Sequence, residues 1–158
     1  MLSTKYATYV QVSDPDSFTG LTTYTWGYGI TKPTKWKHFT HELLKIVAEY
    51  RYSNCDIFVV LTENNKLLYS NHIDNDFVEI NYDSIADDIK DIICIESHII
   101  ILTTSGVVYC INARYRDPFQ FKFDMMIRKS TTINTIACGE KHVLALGSNG
   151  KVYSWGIY

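Results

Sequence analysis

Residues 92–112 (IICIESHIIILTTSGVVYCIN) and 136–156 (IACGEKHVLALGSNGKVYSWG) superpose without a gap at a shift of 44 residues. The shift sets Cys94 on Cys138, Glu96 on Glu140, His98 on His142, Leu102 on Leu146, Gly106 on Gly150 and Tyr109 on Tyr153. A period of this length marks a unit that stacks against copies of itself, because one unit alone cannot bury its own apolar surface. In the later copy, 143–146 (VLAL) and 151–155 (KVYSW) are short runs of strand formers. Asn149-Gly150 between them offers the positive φ that a tight turn needs. A β-hairpin is therefore expected in each copy.

These residues resemble the regulator-of-chromosome-condensation repeat family. Its signature is approximately Cys-Gly-x-x-His, an apolar strand, a Gly turn, and an aromatic strand ending in Trp-Gly. Cys138, Gly139, His142, Gly150, Trp155 and Gly156 carry it in full. The middle copy keeps Cys94, His98 and Gly106, but has Ile95 in place of Gly139 and Ile111-Asn112 in place of Trp-Gly. A fainter copy, 57–71 (IFVVLTENNKLLYSN), aligns at a shift of 85, with Asn65 on Gly150 and Ile57 where the His belongs. Trp26-Gly27 matches the Trp-Gly end of a repeat whose first half has diverged. The resemblance implies an all-β chain, an incomplete β-propeller of about three four-stranded blades. Repeats are expected at 24–71, 72–112 and 113–158 of one domain, after an N-terminal segment at 1–23.

A chain of 158 residues is long enough to bury a core. Its formal charge of −2 gives no overall basic field for non-specific nucleic-acid binding. No basic leader precedes an apolar run, and no stretch approaches the ~18 apolar residues of a spanning helix, so no membrane association is expected. The four cysteines, at 55, 94, 110 and 138, do not make a dense disulfide framework. Reduced thiols and a cytoplasmic or nuclear setting are the expectation.

Outside the aligned segments, 6–12 alternates as a strand does, and 13–17 (SDPDS) is a turn cluster. Trp36, Phe39, Leu43, Ile46 and Tyr50 recur at helical spacing, whereas the repeat asks for a strand at 43–48, equivalent to 133–138. A strand is favoured at 46–48, with a helical turn before it left open. His38 and His41 fit packing or surface positions better than ligand contacts, and Lys32, Lys35 and Lys37 around Trp36 fit a solvated loop. Residues 71–91 are rich in Asp and Glu and fit a solvated loop or a docking face for a basic partner. Residues 112–132 concentrate Arg114, Arg116, Lys122, Arg128 and Lys129 beside Phe119, Phe121 and Phe123. The alternating phenylalanines suit one face of an outer strand. The five basic residues are the candidate partner-binding site, and leave nucleic-acid contact an open question.

Two Cys-x-x-x-His pairs, Cys94/His98 and Cys138/His142, have the chemistry of zinc ligands. They recur because the repeat recurs, and the resemblance implies structural roles. Glu96/His98 and Glu140/His142 pair acid and base types without a nucleophile, and the glycines are turn glycines. No metal, cofactor or catalytic residue is expected, and the chain reads as no enzyme.

The resemblance also poses a problem of closure. The family's ring usually has seven blades, so about three leave apolar faces and strand edges open. A protein partner, a larger assembly such as a ribonucleoprotein, another copy of the chain or further sequence would have to cover them. The chain is accordingly expected to be a non-enzymatic protein–protein interaction module, a bound subunit of a complex. The alternative implied by the resemblance is guanine-nucleotide exchange on a Ran-like small GTPase, although neither a full ring nor a wing loop is recognisable. A chromatin or ubiquitin-pathway adaptor is a third reading.

Overall fold

A computed structural model describes residues 2–3, 7–16, 21–27, 30–35, 43–49, 57–70, 77–82, 85, 87–95, 98–112, 123–125, 131–139 and 141–156. These form fifteen β-strands and, among the described residues, no helix. In chain order the strands are β1 (Leu2–Ser3), β2 (Ala7–Ser13), β3 (Leu21–Gly27), β4 (Ile30–Lys35), β5 (Leu43–Glu49), β6 (Ile57–Thr62), β7 (Leu67–Ser70) and β8 (Val78–Glu79). They continue as β9 (Ile89–Ile95), β10 (His98–Thr103), β11 (Val108–Asn112), β12 (Phe123–Met125), β13 (Ile133–Cys138), β14 (His142–Gly147) and β15 (Val152–Gly156). Each sheet is a meander of consecutive strands: β1–β4, β5–β8, β9–β12 and β13–β15. The chain divides into two compact units, Met1–Ile80 with the first and second sheets, and Asn81–Tyr158 with the third and fourth.

The all-β expectation holds, with four sheets among the described residues where about three blades were expected. The difference arises at the start of the chain. The segment 1–23 joins the first sheet: β1 pairs with β2 and β2 with β3, Thr8 standing opposite Trp26. The turn cluster closes that hairpin: Asp14 accepts from the backbone N–H of Asp16 at 3.1 Å and from the Thr22 hydroxyl. The Thr22 bond is the largest cause holding the Asp14 carboxyl below its ordinary range. Lys35 approaches the same carboxylate at 3.6 Å. Thr23 is buried and its hydroxyl accepts from Gln11 Nε2 at 3.1 Å, which satisfies a polar group inside the sheet.

Two of the sheets extend past the matched repeat segments. β8 lies past residue 71 and closes the second sheet, and β12 lies past 112 and closes the third. These two outer strands are too short, at two and three residues, to show an apolar period. At 43–49 the strand reading prevails over any helical turn. Pairing β5 with β6 satisfies the backbone and leaves Ile46 buried. β5, β9 and β13 each slip register once near Leu43, Ile89 and Ile133, the same irregularity in three sheets.

The hairpin turns repeat as well. The N–H groups of Asn65, Gly106 and Gly150 donate to the carbonyls of Thr62, Thr103 and Gly147, each at 3.0 Å. All three residues have positive φ, at 56°, 82° and 76°. The alignment of Asn65 with two glycines thus has a physical basis, since Asn tolerates the left-handed region best among side-chain-bearing residues. Asn149 does not share the positive φ; of the Asn-Gly pair only Gly150 has it.

In the unit Asn81–Tyr158 the core lies between the third and fourth sheets. Ile93, Ile95, Ile100, Leu102, Val108 and Cys110 of the third meet Ile133, Ile136, Val143 and Ala145 of the fourth. Tyr153 and Trp155 are half-buried against them. Full burial of each Ile, Leu or Val here contributes about 1.5–3 kcal/mol from water exclusion.

Candidate interaction surface

Gly106, Gly139 and Gly150 of the signature lie in the connections between strands. Gly139 leaves room for the ring of His142: a Cβ at 139 would lie 2.3 Å from Cε1 and 2.7 Å from Nε2. The Gly139 N–H donates to the His142 carbonyl at 2.9 Å, closing the connection between β13 and β14. Cys138 donates its thiol to the Cys94 carbonyl at 3.5 Å, a weak bond between neighbouring sheets at the equivalent positions of two repeats. Trp155 stands opposite Val143 and covers the edge of the core. Among the described residues, Cys94, Cys110 and Cys138 form no disulfide. Among the described residues no three His, Cys, Asp or Glu side chains converge to hold a metal, and no helix is long and apolar enough to cross a membrane. Glu96 and Glu140 lie outside the described residues.

A second network ties the turns together. Asp87 accepts from the Ser105 N–H at 2.7 Å and from the Thr104 hydroxyl. Hydrogen bonds from Ser105 and then Thr104 hold its carboxyl well below the ordinary carboxylate range. Gly106 in the same turn accepts at its carbonyl from the Ile133 N–H at 2.9 Å, and the Ser148 N–H donates to Thr132 at 2.8 Å. Tyr153 Oη lies 3.2 Å from Thr131 Oγ1 and accepts from Asn149 Nδ2 at 3.2 Å. The acidic stretch is therefore only partly the solvated loop its composition suggested: Ile80 and Ile85 are buried and Asp87 is a turn anchor. An isolated Ile at each of these positions makes no apolar run, which is why composition hid them.

A carboxyl with a lowered folded-state pKa contributes stability that is complete above the unfolded value near 4 and is lost as pH falls through the folded value. Asp87→Ala is accordingly expected to melt at a lower temperature than the parent chain at neutral pH. The gap between them narrows below about pH 4. Thermal unfolding followed from neutral to acid pH checks this; a gap that stays constant would remove Asp87 as an anchor.

The basic candidates Arg114, Arg116, Lys122, Arg128 and Lys129 lie outside the described residues, as do Phe119, Phe121, His38 and His41. Among described cations, Lys66 pairs with Glu79 at 2.9 Å and Lys90 donates to the Asn134 carbonyl at 2.9 Å. Among the described residues of the second unit, the exposed large apolar side chains lie on the fourth sheet. Along β14, His142, Leu144 and Leu146 are exposed while Val143, Ala145 and Gly147 are buried. Leu144 pairs with Ala137 on one side and Ser154 on the other, and Leu146 pairs with Thr135 and Val152. Leu144 is 39% exposed, Leu146 38% and Val152 65%. On β10 of the third sheet, by contrast, Ile99, Ile100, Ile101 and Leu102 are all buried. Sequence patterning missed this contrast, because VLAL carries no polar residue to show which face is open.

Residues 133–157 match the regulator of chromosome condensation (RCC1) repeat. No curated protein sequence matches the chain. Among solved structures it is similar to Prp20p from Saccharomyces cerevisiae, with a TM-score of 0.62, 15% identity, and 96% of this chain covering 46% of that one. Human WBSCR16 gives a TM-score of 0.61 at 14% identity, over 85% of this chain and 43% of that one. Yeast RCC1 (Prp20) bound to Kap60 gives 0.61 at 17% identity, over 85% and 39%. The chain thus spans less than half the length of these structures. From Ile133 onward it carries a regulator-of-chromosome-condensation repeat, within an all-β chain similar in fold to the β-propellers of that family.

Proposed function

We propose that the chain is a protein–protein interaction module, a bound subunit of a larger assembly, working by contact and not by covalent chemistry. The observation that carries this is the outward row Leu144, Leu146 and Val152 on the fourth sheet. Clustered exposed apolar side chains are costly in water and mark surfaces that meet a partner. Support also comes from the similar structures, one described in complex with Kap60 and one studied for its binding to Gsp1p and histones. A reduced compartment, cytoplasm or nucleus, is part of the proposal.

The test is the native mass of the full chain recovered under gentle conditions. A complex of fixed stoichiometry that persists on dilution is expected, and a solitary monomer of 18.2 kDa would overturn the reading. Reversing charge together at Arg114, Arg116 and Arg128 is expected to weaken that complex, and most of all at low salt, where surface charge acts furthest. Unchanged binding would remove the basic segment from the docking surface. Accelerated nucleotide release from a Ran-like GTPase, in place of a stable complex, would favour the exchange-factor reading instead.

A further inference from the structure

We propose that the turn 147–150 of the fourth sheet is a carboxylate-binding site, which takes an Asp or Glu side chain of the protein partner. The inference rests on the interaction-module reading and names the chemistry by which the partner is held. Its basis is a comparison with the turn 103–106 of the third sheet. The two turns are built alike. In each, the first carbonyl accepts from the N–H three places on, Thr103 from Gly106 and Gly147 from Gly150, both at 3.0 Å. In each, the second N–H donates to the segment that leads into the sheet: Thr104 to the Asp88 carbonyl at 2.9 Å, and Ser148 to the Thr132 carbonyl at 2.8 Å.

What differs is the anion. In the third-sheet turn Asp87 supplies it, one carboxylate oxygen accepting from the Ser105 N–H at 2.7 Å and the other from the Thr104 hydroxyl. The seat favours the charged form, since those bonds hold the Asp87 carboxyl well below its ordinary range. At the shift of 44 residues Ser148 and Asn149 take the places of Thr104 and Ser105, and keep the hydroxyl and the N–H. Thr131 takes the place of Asp87 and brings no carboxylate. Its hydroxyl lies 3.2 Å from Tyr153 Oη. The Asn149 side chain is committed too, Oδ1 accepting from the Lys151 N–H at 2.9 Å and Nδ2 donating to Tyr153 Oη at 3.2 Å. The Asn149 N–H and the Ser148 hydroxyl, on two exposed residues, are left with no hydrogen-bond partner among the described residues.

Two donors, one for each oxygen, suit a carboxylate, and hydrogen bonds to a charged acceptor are the stronger kind. A cation stands close by. Lys151, exposed, replaces Val107 of the third-sheet turn. The Tyr153 hydroxyl is held below its ordinary range by Thr131, then Asn149, then the charge of Lys151, which places that charge near the turn. The pair Leu146 and Val152, both exposed, adjoins the same turn. A protein segment with an apolar residue beside its acidic one can cover both, which a free anion cannot.

Backbone amide NMR of the full chain tests the site, with oligoglutamate, oligoglutamine and inorganic phosphate added in turn. The Asn149 amide proton is expected to move downfield with oligoglutamate and to stay in place with oligoglutamine. Ser148→Ala, a surface change, is expected to weaken the oligoglutamate effect about tenfold, through loss of one hydrogen bond to a charged group. Thr131→Asp puts a carboxylate at the place equivalent to Asp87. Its Asn149 amide is expected to be shifted before any peptide is added, to lose that shift in acid, and to ignore oligoglutamate.

An Asn149 amide unmoved by oligoglutamate at about 10 mM overturns the site, as does one that oligoglutamine moves equally. Movement by phosphate alone overturns the carboxylate as occupant. A native complex that both Ser148→Ala and Thr131→Asp leave intact overturns the site while the module reading stands. A chain that forms no complex, yet whose Asn149 amide answers to oligoglutamate, overturns the module reading alone.

Discussion

Gly106→Ala is expected to destabilise the Asn81–Tyr158 unit by about 3 kcal/mol or more, while Gly150→Ala costs only about 1 kcal/mol. The two glycines occupy equivalent turns with nearly the same backbone, at φ 82° and 76°. Either alanine pays the left-handed penalty of about 1–2 kcal/mol. At Gly150 nothing lies within 4 Å of the added Cβ, so the penalty ends there. At Gly106 the Cβ would meet Thr132 Cγ2 at 2.2 Å, Ile133 N at 2.8 Å and Ile133 O at 2.9 Å. Two of these are backbone atoms at the start of β13 and cannot swing aside as a side chain can. Moving them apart strains the 2.9 Å bond from the Ile133 N–H to the Gly106 carbonyl, where loss of a net hydrogen bond adds about 1 kcal/mol. Urea unfolding of both variants measures the difference. Equal losses would mean that the Gly106 turn is not clamped against β13.

Leu102→Ala is expected to cost about 2–5 kcal/mol, and Leu146→Ala within about 0.5 kcal/mol in the isolated chain. The two leucines are repeat equivalents, each opposite a valine across its hairpin, Val108 for Leu102 and Val152 for Leu146. Leu102 has no exposure and sits in the cluster between the third and fourth sheets, so its removal loses apolar burial and leaves a cavity. Leu146 is 38% exposed, and solvent fills what its side chain vacates. Chemical denaturation of the isolated chain gives both values. With a partner bound the Leu146→Ala cost is expected to grow if the face becomes covered, because burial there then depends on the partner. Similar losses for both leucines in the isolated chain would mean that the face is already packed within it.

Much of the local structure was legible before any coordinates. The shift of 44 residues located β10, β11, β14 and β15 with the turn positions Gly106 and Gly150, and the shift of 85 added Asn65. These features are written locally: β-branched runs set the strands, and one residue able to take positive φ sets each turn. The first sheet was read only in pieces, because β2 has no repeat partner in sequence and its pairing with β3 is a matter of register. Asp87 escaped notice for a related reason. Its partners, Thr104 and Ser105, lie 17 and 18 residues away, and only the folded turn brings them to it.

Strand composition and turn chemistry, both short-range properties, made this an all-β repeat chain whatever its surroundings. Which apolar positions end up covered is another matter. Ile100 and Leu144 look interchangeable as letters, yet one is shut inside the core and the other meets water. Burial belongs to a residue only through the sheet laid across it, and that neighbour exists only once the chain has folded.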